Sequence, residues 1–594
     1  MFLATTAIEE FWDKDEPLLF LGDWCCRYNR RNIWDPLNAI IIQDPWLDRD
    51  KYRNAYNYIN NLYENTLPRL SKALNSIHGE NHNVRYWRII IGPWLIWYLS
   101  ALFDRYIRIK DALSNFPNLT TCGLAETSYI TPLDTLDFHH HINDDFYNLQ
   151  ICTQLLDCLD IDFERKNTKF NRKIQKDIDR IGNEKNRLLI LRRTIIRYIL
   201  GHLSRFNKRG FPIIIRGGNF TTKQELRLIF QTLGKVQSIT NSIASPTDYI
   251  VNQAMRKDLK NLFEQRDEFS RILNIVLPTS VPLGFVEGYS DLKEKIMKKF
   301  PQVPKVIISA GAFHYDEMFK VWSAECSEEK TELVIMQHGG VYGGGAYLPL
   351  EDHDLAISNR FYSWGWNRID KNNKIYTSPS ACPYKREPII VNNGECVLFV
   401  TTVVYRYPYR FRASDQSFRE YIAWQYEFFN LVNHQIREKM IVRLHRKEFG
   451  CLLGRRLIDK YQDISYEHWE IPFAQRLNQC RLYVFDHNST TFLESLSANK
   501  PSILFCDPTI NELHPEASGY YEELRSAGIL HDTSESAAAA VNNIYGHVFE
   551  WWNNPKTQTA RKKFCHNFVR TSTSYIEEWI DEIRCLADGE TFVK

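Results

Sequence analysis

The chain has 594 residues with 74 Lys and Arg against 72 Asp and Glu, a formal net charge of +2, so bulk electrostatic attraction does not make it a nucleic-acid binder. Hydrophobic residues at 44% and charged residues at 25% place it among ordinary globular proteins, and its length requires two or three cores rather than one. The 13 Cys are odd in number, form no CxxC pair and include the adjacent Cys25-Cys26, which excludes a disulfide scaffold or a zinc ribbon and fits a reducing cytosol.

The N-terminal MFLATTAIEEFWDKDE has no basic region followed by an apolar core, which argues against a secretory leader and for a cytoplasmic location. Pro17 to Trp24 reads as a strand running into a Gly turn, an end that delivers Asp23 and Trp24 to a cleft. Lys51 to Ala112 is mostly helical with a break near His78-Gly79. Within it, Ile89 to Phe103 is apolar but holds Pro93 and falls short of the ~20 residues a membrane span needs, so a buried helix is expected. Ser114 to Asp145 reads as loop-rich, and His139-His140-His141 as a polar loop rather than a metal site, because successive residues converge poorly on one ion.

A helix is expected over Asn183 to Phe206, a strand over Phe211 to Arg216, helices over Thr222 to Leu233 and Asp248 to Asn274, and a strand over Lys305 to Ala310. A helix follows from about Tyr315 to Cys326. The apolar strand Glu332 to Gln337 then runs straight into His338-Gly339-Gly340-Val341-Tyr342. Glycines there free the backbone to approach a ligand, and an imidazole at a strand end serves as general base or stabilising donor. That makes His338 the candidate catalytic residue, with Gln337, Gly339, Gly340 and Tyr342 beside it at the cleft. Gly343 to Gly345 lack the Lys of a phosphate-binding P-loop.

Pro379 to Asn393 reads as a linker centred near 385. A second alternation begins there: strand Cys396 to Val404, helix Ser417 to Arg437, strand Met440 to Leu444, and a helix near 452–460. Arg443 and His445, at that strand's end, are candidate phosphate donors. Strand Leu482 to Phe485, the turn Asp486-His487-Asn488, a helix opened by Ser489, Thr490 and Thr491, and strand Ser502 to Phe505 form one βαβ unit. A helix start gathers free N–H groups and the positive end of the dipole, so the three hydroxyl residues mark an anion site; Glu494, one turn on, suits a ribose hydroxyl. An ordinary Ser/Thr cap fits the same local pattern. Helices over His514 to Ala527, Ser534 to Trp552 and Pro555 to Ile583 close the chain.

The segments FLGDWC, ALNSIHGENHNVRYWRIIIGPWL, QHGGVYG and STTFLESLSANKPSILF together resemble a family of transferases encoded in bacterial O-antigen and surface-polysaccharide clusters, over nearly the whole chain. The second half also resembles two-domain GT-B transferases of the CMP-Kdo and CDP-glycerol types. Those enzymes pair a His-Gly motif, a strand-end His and a Ser-rich helix start near the donor phosphates; the resemblance maps them to His338, His445 and Ser489 to Thr491. Arg446 stands where many cytidine-nucleotide sugar transferases have Pro, which changes the local turn and adds a second phosphate donor.

The expected fold is α/β: two doubly wound Rossmann-like domains, 1–385 on the acceptor side with helical insertions and 386–545 on the donor side, with 546–594 packing across both. The expected function is a glycosyltransferase of surface-polysaccharide synthesis that takes a CMP-activated ulosonic acid and a glycan or lipid-linked glycan, the latter met at the inner face of the membrane, with no cofactor and no metal. A CDP-linked polyol-phosphate transferase and a non-catalytic glycan-binding scaffold are the rivals.

Overall fold

A computed structural model describes residues 1–169, 211–218, 220–239, 249–264, 266–300, 302–369, 374–380, 394–413 and 417–588. The helix expected over 183–206 and most of the expected linker, 381–393, lie outside the described residues.

Short apolar runs form three parallel sheets. In the third sheet β12 (Val397–Val400), β13 (Met440–Arg443), β14 (Ser465–Glu467), β15 (Leu482–Phe485), β16 (Ser502–Phe505) and β17 (Leu530–His531) stand in the order β14-β13-β12-β15-β16-β17. In chain terms that is 3-2-1-4-5-6, the Rossmann order. In the second sheet β6 (Ile213–Arg216), β7 (Val236–Ser238), β8 (Val306–Ser309), β9 (Glu332–Met336), β10 (Arg360–Ser363) and β11 (Ile375–Thr377) run 2-1-3-4-5-6, a flavodoxin-like order with one strand more. β8, β12, β15 and β16 are buried along their whole length, as strands covered by helices on both faces must be. The two doubly wound sheets of a GT-B fold are therefore present.

The N-terminal segment holds more than helical insertions. β1 (Phe2–Ala4), β2 (Leu18–Phe20), β3 (Ala39–Ile41), β4 (Thr120–Leu124) and β5 (Glu164–Lys166) make a third parallel sheet, ordered β3-β2-β1-β4-β5. Ser114 to Asp145 is thus not simply loop: it contributes β4 and the helix Thr135–His141. His139 and His141 are buried on that helix, and burial lowers His139 to about 3.

Two long helices join this sheet to the second. Arg49–His78 starts where Asp48 caps Asp50 and Lys51, and ends at Gly79 with φ of 66°. Val84–Asn115 starts at its Asn83 cap. Every residue from Ile89 to Phe103 is at most 9% exposed, so this apolar stretch is core rather than membrane surface. No helix among the described residues is long and apolar enough to cross a membrane.

Several expected elements are shorter than read. Asp248 to Asn274 yields a 3₁₀ turn, Met255–Leu259, before the helix Glu268–Ser280. Ser417 to Arg437 divides at Val432-Asn433, and Pro555 to Ile583 divides into Pro555–Phe568 and Tyr575–Asp588. The last of these returns to the second sheet, where Ile576, Trp579, Ile580 and Ile583 pack on Ile213, Ile215, Val334 and Met336.

Candidate functional site

The carboxyl ends of β9, β12, β13 and β15 open onto one cleft of about 540 Å³ between the second and third sheets. His338, Gly339, Gly340, Tyr342, His445, Ser489, Thr490 and Thr491 all line it. The two halves touch: Gly340 N donates to Thr490 Oγ1 at 3.0 Å. A Cβ on Gly340 would lie 2.6 Å from the backbone of Ser489 and Thr490, so only glycine permits this approach.

His338 is held from behind. The turn that carries it is pinned by Gln337, whose Nε2 donates to Gly339 O at 2.8 Å and whose Oε1 accepts from Trp364 N and Trp366 Nε1. Gln337 is buried and braces the turn rather than facing the cleft. The His338 ring sits 5.0 Å from those of His314 and Tyr342. Asp354 bonds both neighbours, accepting from Tyr342 OH at 2.8 Å and lying 3.0 Å from His314 Nε2. Burial, with His314 adding repulsion, lowers His338 to about 4, against the pull of Asp354 and the Ala310 carbonyl. The imidazole is therefore neutral at pH 7. Beneath the glycine turn, Gly343 at φ 74° donates to the buried Glu351, which burial raises to about 7 despite its Arg368 partner.

On the opposite wall the helix Thr490–Ser497 begins. Its N-cap, Ser489, makes no side-chain cap bond, so the first-turn N–H groups have no capping side chain. The preceding turn carries a pair that the sequence reading did not single out: His487 Nδ1 lies 2.6 Å from Asp486 Oδ1, and Asp486 also accepts from Tyr421 OH at 2.6 Å and from Gln425. His445 is anchored at Nδ1, 3.1 Å from both Lys447 N and Lys447 O, and burial lowers its pKa.

Four expected residues stand elsewhere. Arg443 is buried behind the cleft, paired with Glu467 at 2.6 Å and stacked on Trp469, so it supports the wall and does not line it. Asp23 and Trp24 line a separate cavity of about 50 Å³; Trp24 is buried with its Nε1 on Thr5 O, and Arg406 bonds its carbonyl. Glu494, a turn into its helix, is not among the residues lining the cleft.

The largest omission is the segment after β12. Thr401 to Tyr405, Pro408 to Arg410 and Arg412 line the cleft, in a run TTVVYRYPYRFR read partly as strand. Its alternation of Arg with aromatic rings was the available signal.

A cleft at the strand ends of two nucleotide-type sheets, with a helix start on one wall and a braced imidazole on the other, belongs to a group-transferring enzyme of the GT-B architecture. Residues 1–583 match the LIC12162 family transferases, and the chain belongs to that family. Among solved structures it is similar to UGT89C1 from Arabidopsis thaliana complexed with quercetin, at 10% identity over 65% of this chain and 96% of that one, with a TM-score of 0.34. Alr3699/HepE from Anabaena, in complex with UDP and glucose, matches at 10% identity over 63% and 98%, with a TM-score of 0.32. The wall teichoic acid polymerase TagF, soaked with CDPG, matches at 9% identity over 70% and 99%, also with a TM-score of 0.32. No curated protein matches the chain.

Proposed function

We propose that this transferase moves a sugar from a cytidine-nucleotide donor, a CMP-activated ulosonic acid, to a glycan or lipid-linked glycan of a bacterial surface polysaccharide. The observation that carries the reading is the direct apposition of the His338 turn and the Ser489–Thr491 helix start across one cleft. The departing phosphate sits at that helix start, where first-turn N–H groups and the Thr490 and Thr491 hydroxyls donate to it. His445, with Nδ1 accepting from Lys447 N, presents Nε2–H to the same phosphate. Arg410 and Arg412 line the cleft as further partners for anionic charge.

The step balances simply. The bond from anomeric carbon to phosphate oxygen breaks, and CMP leaves with the electron pair. The acceptor hydroxyl forms the new carbon–oxygen bond, and its proton passes to the neutral His338. The donor is a substrate, and no resident cofactor is invoked.

Incubating the protein with a CMP-activated ulosonic acid, CDP-glycerol, and UDP- and GDP-sugars, with mass analysis of the extended acceptor, tests this. An added ulosonic acid in glycosidic linkage supports the reading. An added glycerol phosphate favours phosphodiester chemistry in the same site, and turnover of UDP- or GDP-sugars alone rejects the cytidine donor.

A further inference from the structure

We propose that a second chamber, beside the transfer cleft, binds a neutral sugar ring of the acceptor. The proposal deepens the glycosyl-transfer reading and rests on it. The chamber holds about 210 Å³ and is walled by the N-terminal helices on one side and by the third-sheet domain on the other. Pro408 and Arg410 line both spaces, so the chamber adjoins the cleft across a single loop. Asn511 lines the cleft and Ile510 the chamber, which makes a second shared edge.

Its chemistry is that of a sugar site. Trp46, Phe411 and Trp424 put aromatic rings on its wall, with the Trp46 and Phe411 rings set edge to face at 4.9 Å. Aromatic rings take the apolar side of a pyranose, while carboxylates accept from its hydroxyls. Two acids on the N-terminal side, Asp44 and Asp104, are tied to Arg108 at 2.8 and 2.9 Å. Glu420 and Asp507 face them from the donor domain; Asp507 accepts from Thr509 N and Oγ1 within its own turn. Arg49 and Arg410 are the cations on the wall; Arg49 lies 4.0 Å over the Tyr52 ring and 3.6 Å from Glu512. Arg105 also pairs with Asp104 at 2.6 Å, so Asp44 and Asp104 are neutralised, and Glu420 and Asp507 stand against Arg49 and Arg410; the wall carries no excess of either sign, so charged sugars gain nothing here and neutral, hydroxyl-bearing rings are favoured.

Saturation-transfer NMR on the full chain tests this with the methyl glycosides of glucose, glucosamine and galacturonic acid as probes. Thr509, exposed at the mouth, is changed by Thr509→Trp to fill the chamber, and Glu420→Gln removes a carboxylate without changing shape. The expected result is transfer to the glucoside in preference to the glucosaminide and the galacturonide, abolished by Thr509→Trp and weakened roughly 10-fold by Glu420→Gln, with nucleotide thermal shifts unchanged. No transfer in the unmodified protein, preference for the glucosaminide or the galacturonide, or transfer unaffected by Thr509→Trp would overturn the proposal. Loss of the nucleotide shifts in the unmodified protein, with glycoside transfer retained, would reject the transfer reading and leave the chamber assignment standing.

Discussion

The protonation state of His338 decides what it does in the cleft. Lowered to about 4, it is a neutral acceptor at physiological pH and becomes charged only well below the ordinary histidine range. The acid limb of kcat/KM is accordingly expected near pH 4 to 5, with turnover lost as pH falls through that window; an acid limb centred at 6.5 contradicts the assignment. Replacing His338 with Asn is expected to lower kcat by about 10²- to 10⁴-fold with little change in melting temperature, read by donor turnover and a thermal melt. Gly340→Ala acts differently: its methyl meets the backbone of Ser489 and Thr490 at 2.6 Å, so both stability and turnover fall. His338, His445 and the hydroxyl triplet were legible in the sequence because polar residues that end apolar runs must emerge at strand ends. The fates of Arg443 and Gln337 were not, since the side-chain partners that bury them, Glu467 and Trp366, are set by tertiary packing.

At the scale of elements, alternating apolar runs and helical stretches were long enough in the second and third sheets to be read directly, and β6, β8, β9, β13, β15 and β16 fall within the expected ranges. Of the first sheet only β2 was expected, within Pro17 to Trp24; β1 and β3 have three residues each, too few to show a period. The helix Tyr575–Asp588 was expected, but nothing in its own sequence says which sheet it covers. Trp579, at 2% exposure, fills the outer face of the second sheet beside Tyr362, with ring centroids 5.2 Å apart. Trp579→Ala is expected to cost about 3 to 5 kcal/mol, measured by denaturant unfolding, with nucleotide affinity of the folded protein unchanged.

Across the whole molecule, the second and third sheets meet at one cleft with Trp97 of a long N-terminal helix on its wall, and several titratable groups are buried in the surrounding packing. His139, His338 and His353 are held at about 3, 4 and 3 by burial. Below their unfolded value of about 6.5 the unfolded chain binds these protons more readily, so stability falls as pH drops from that value toward the folded values, by on the order of 3 kcal/mol for His338 alone. Glu351, raised to about 7, works in the opposite sense: its contribution is full below the unfolded carboxylate range and lost as pH rises through 7. A melting temperature that falls steeply between pH 6 and 4 is the expected outcome of a pH series. The central claim, that residues 489–491 hold the nucleotide phosphate opposite His338, is tested most directly by a thermal-shift panel of CMP, CDP, UMP, UDP, GDP and ADP on the parent protein and its Ser489→Ala/Thr491→Ala double variant. Stabilisation by CMP or CDP of about 2.7 kcal/mol at a hundredfold excess over Kd, absent in the variant, is predicted; stabilisation by a uridine or guanosine nucleotide instead, or an unchanged shift in the variant, would contradict the account.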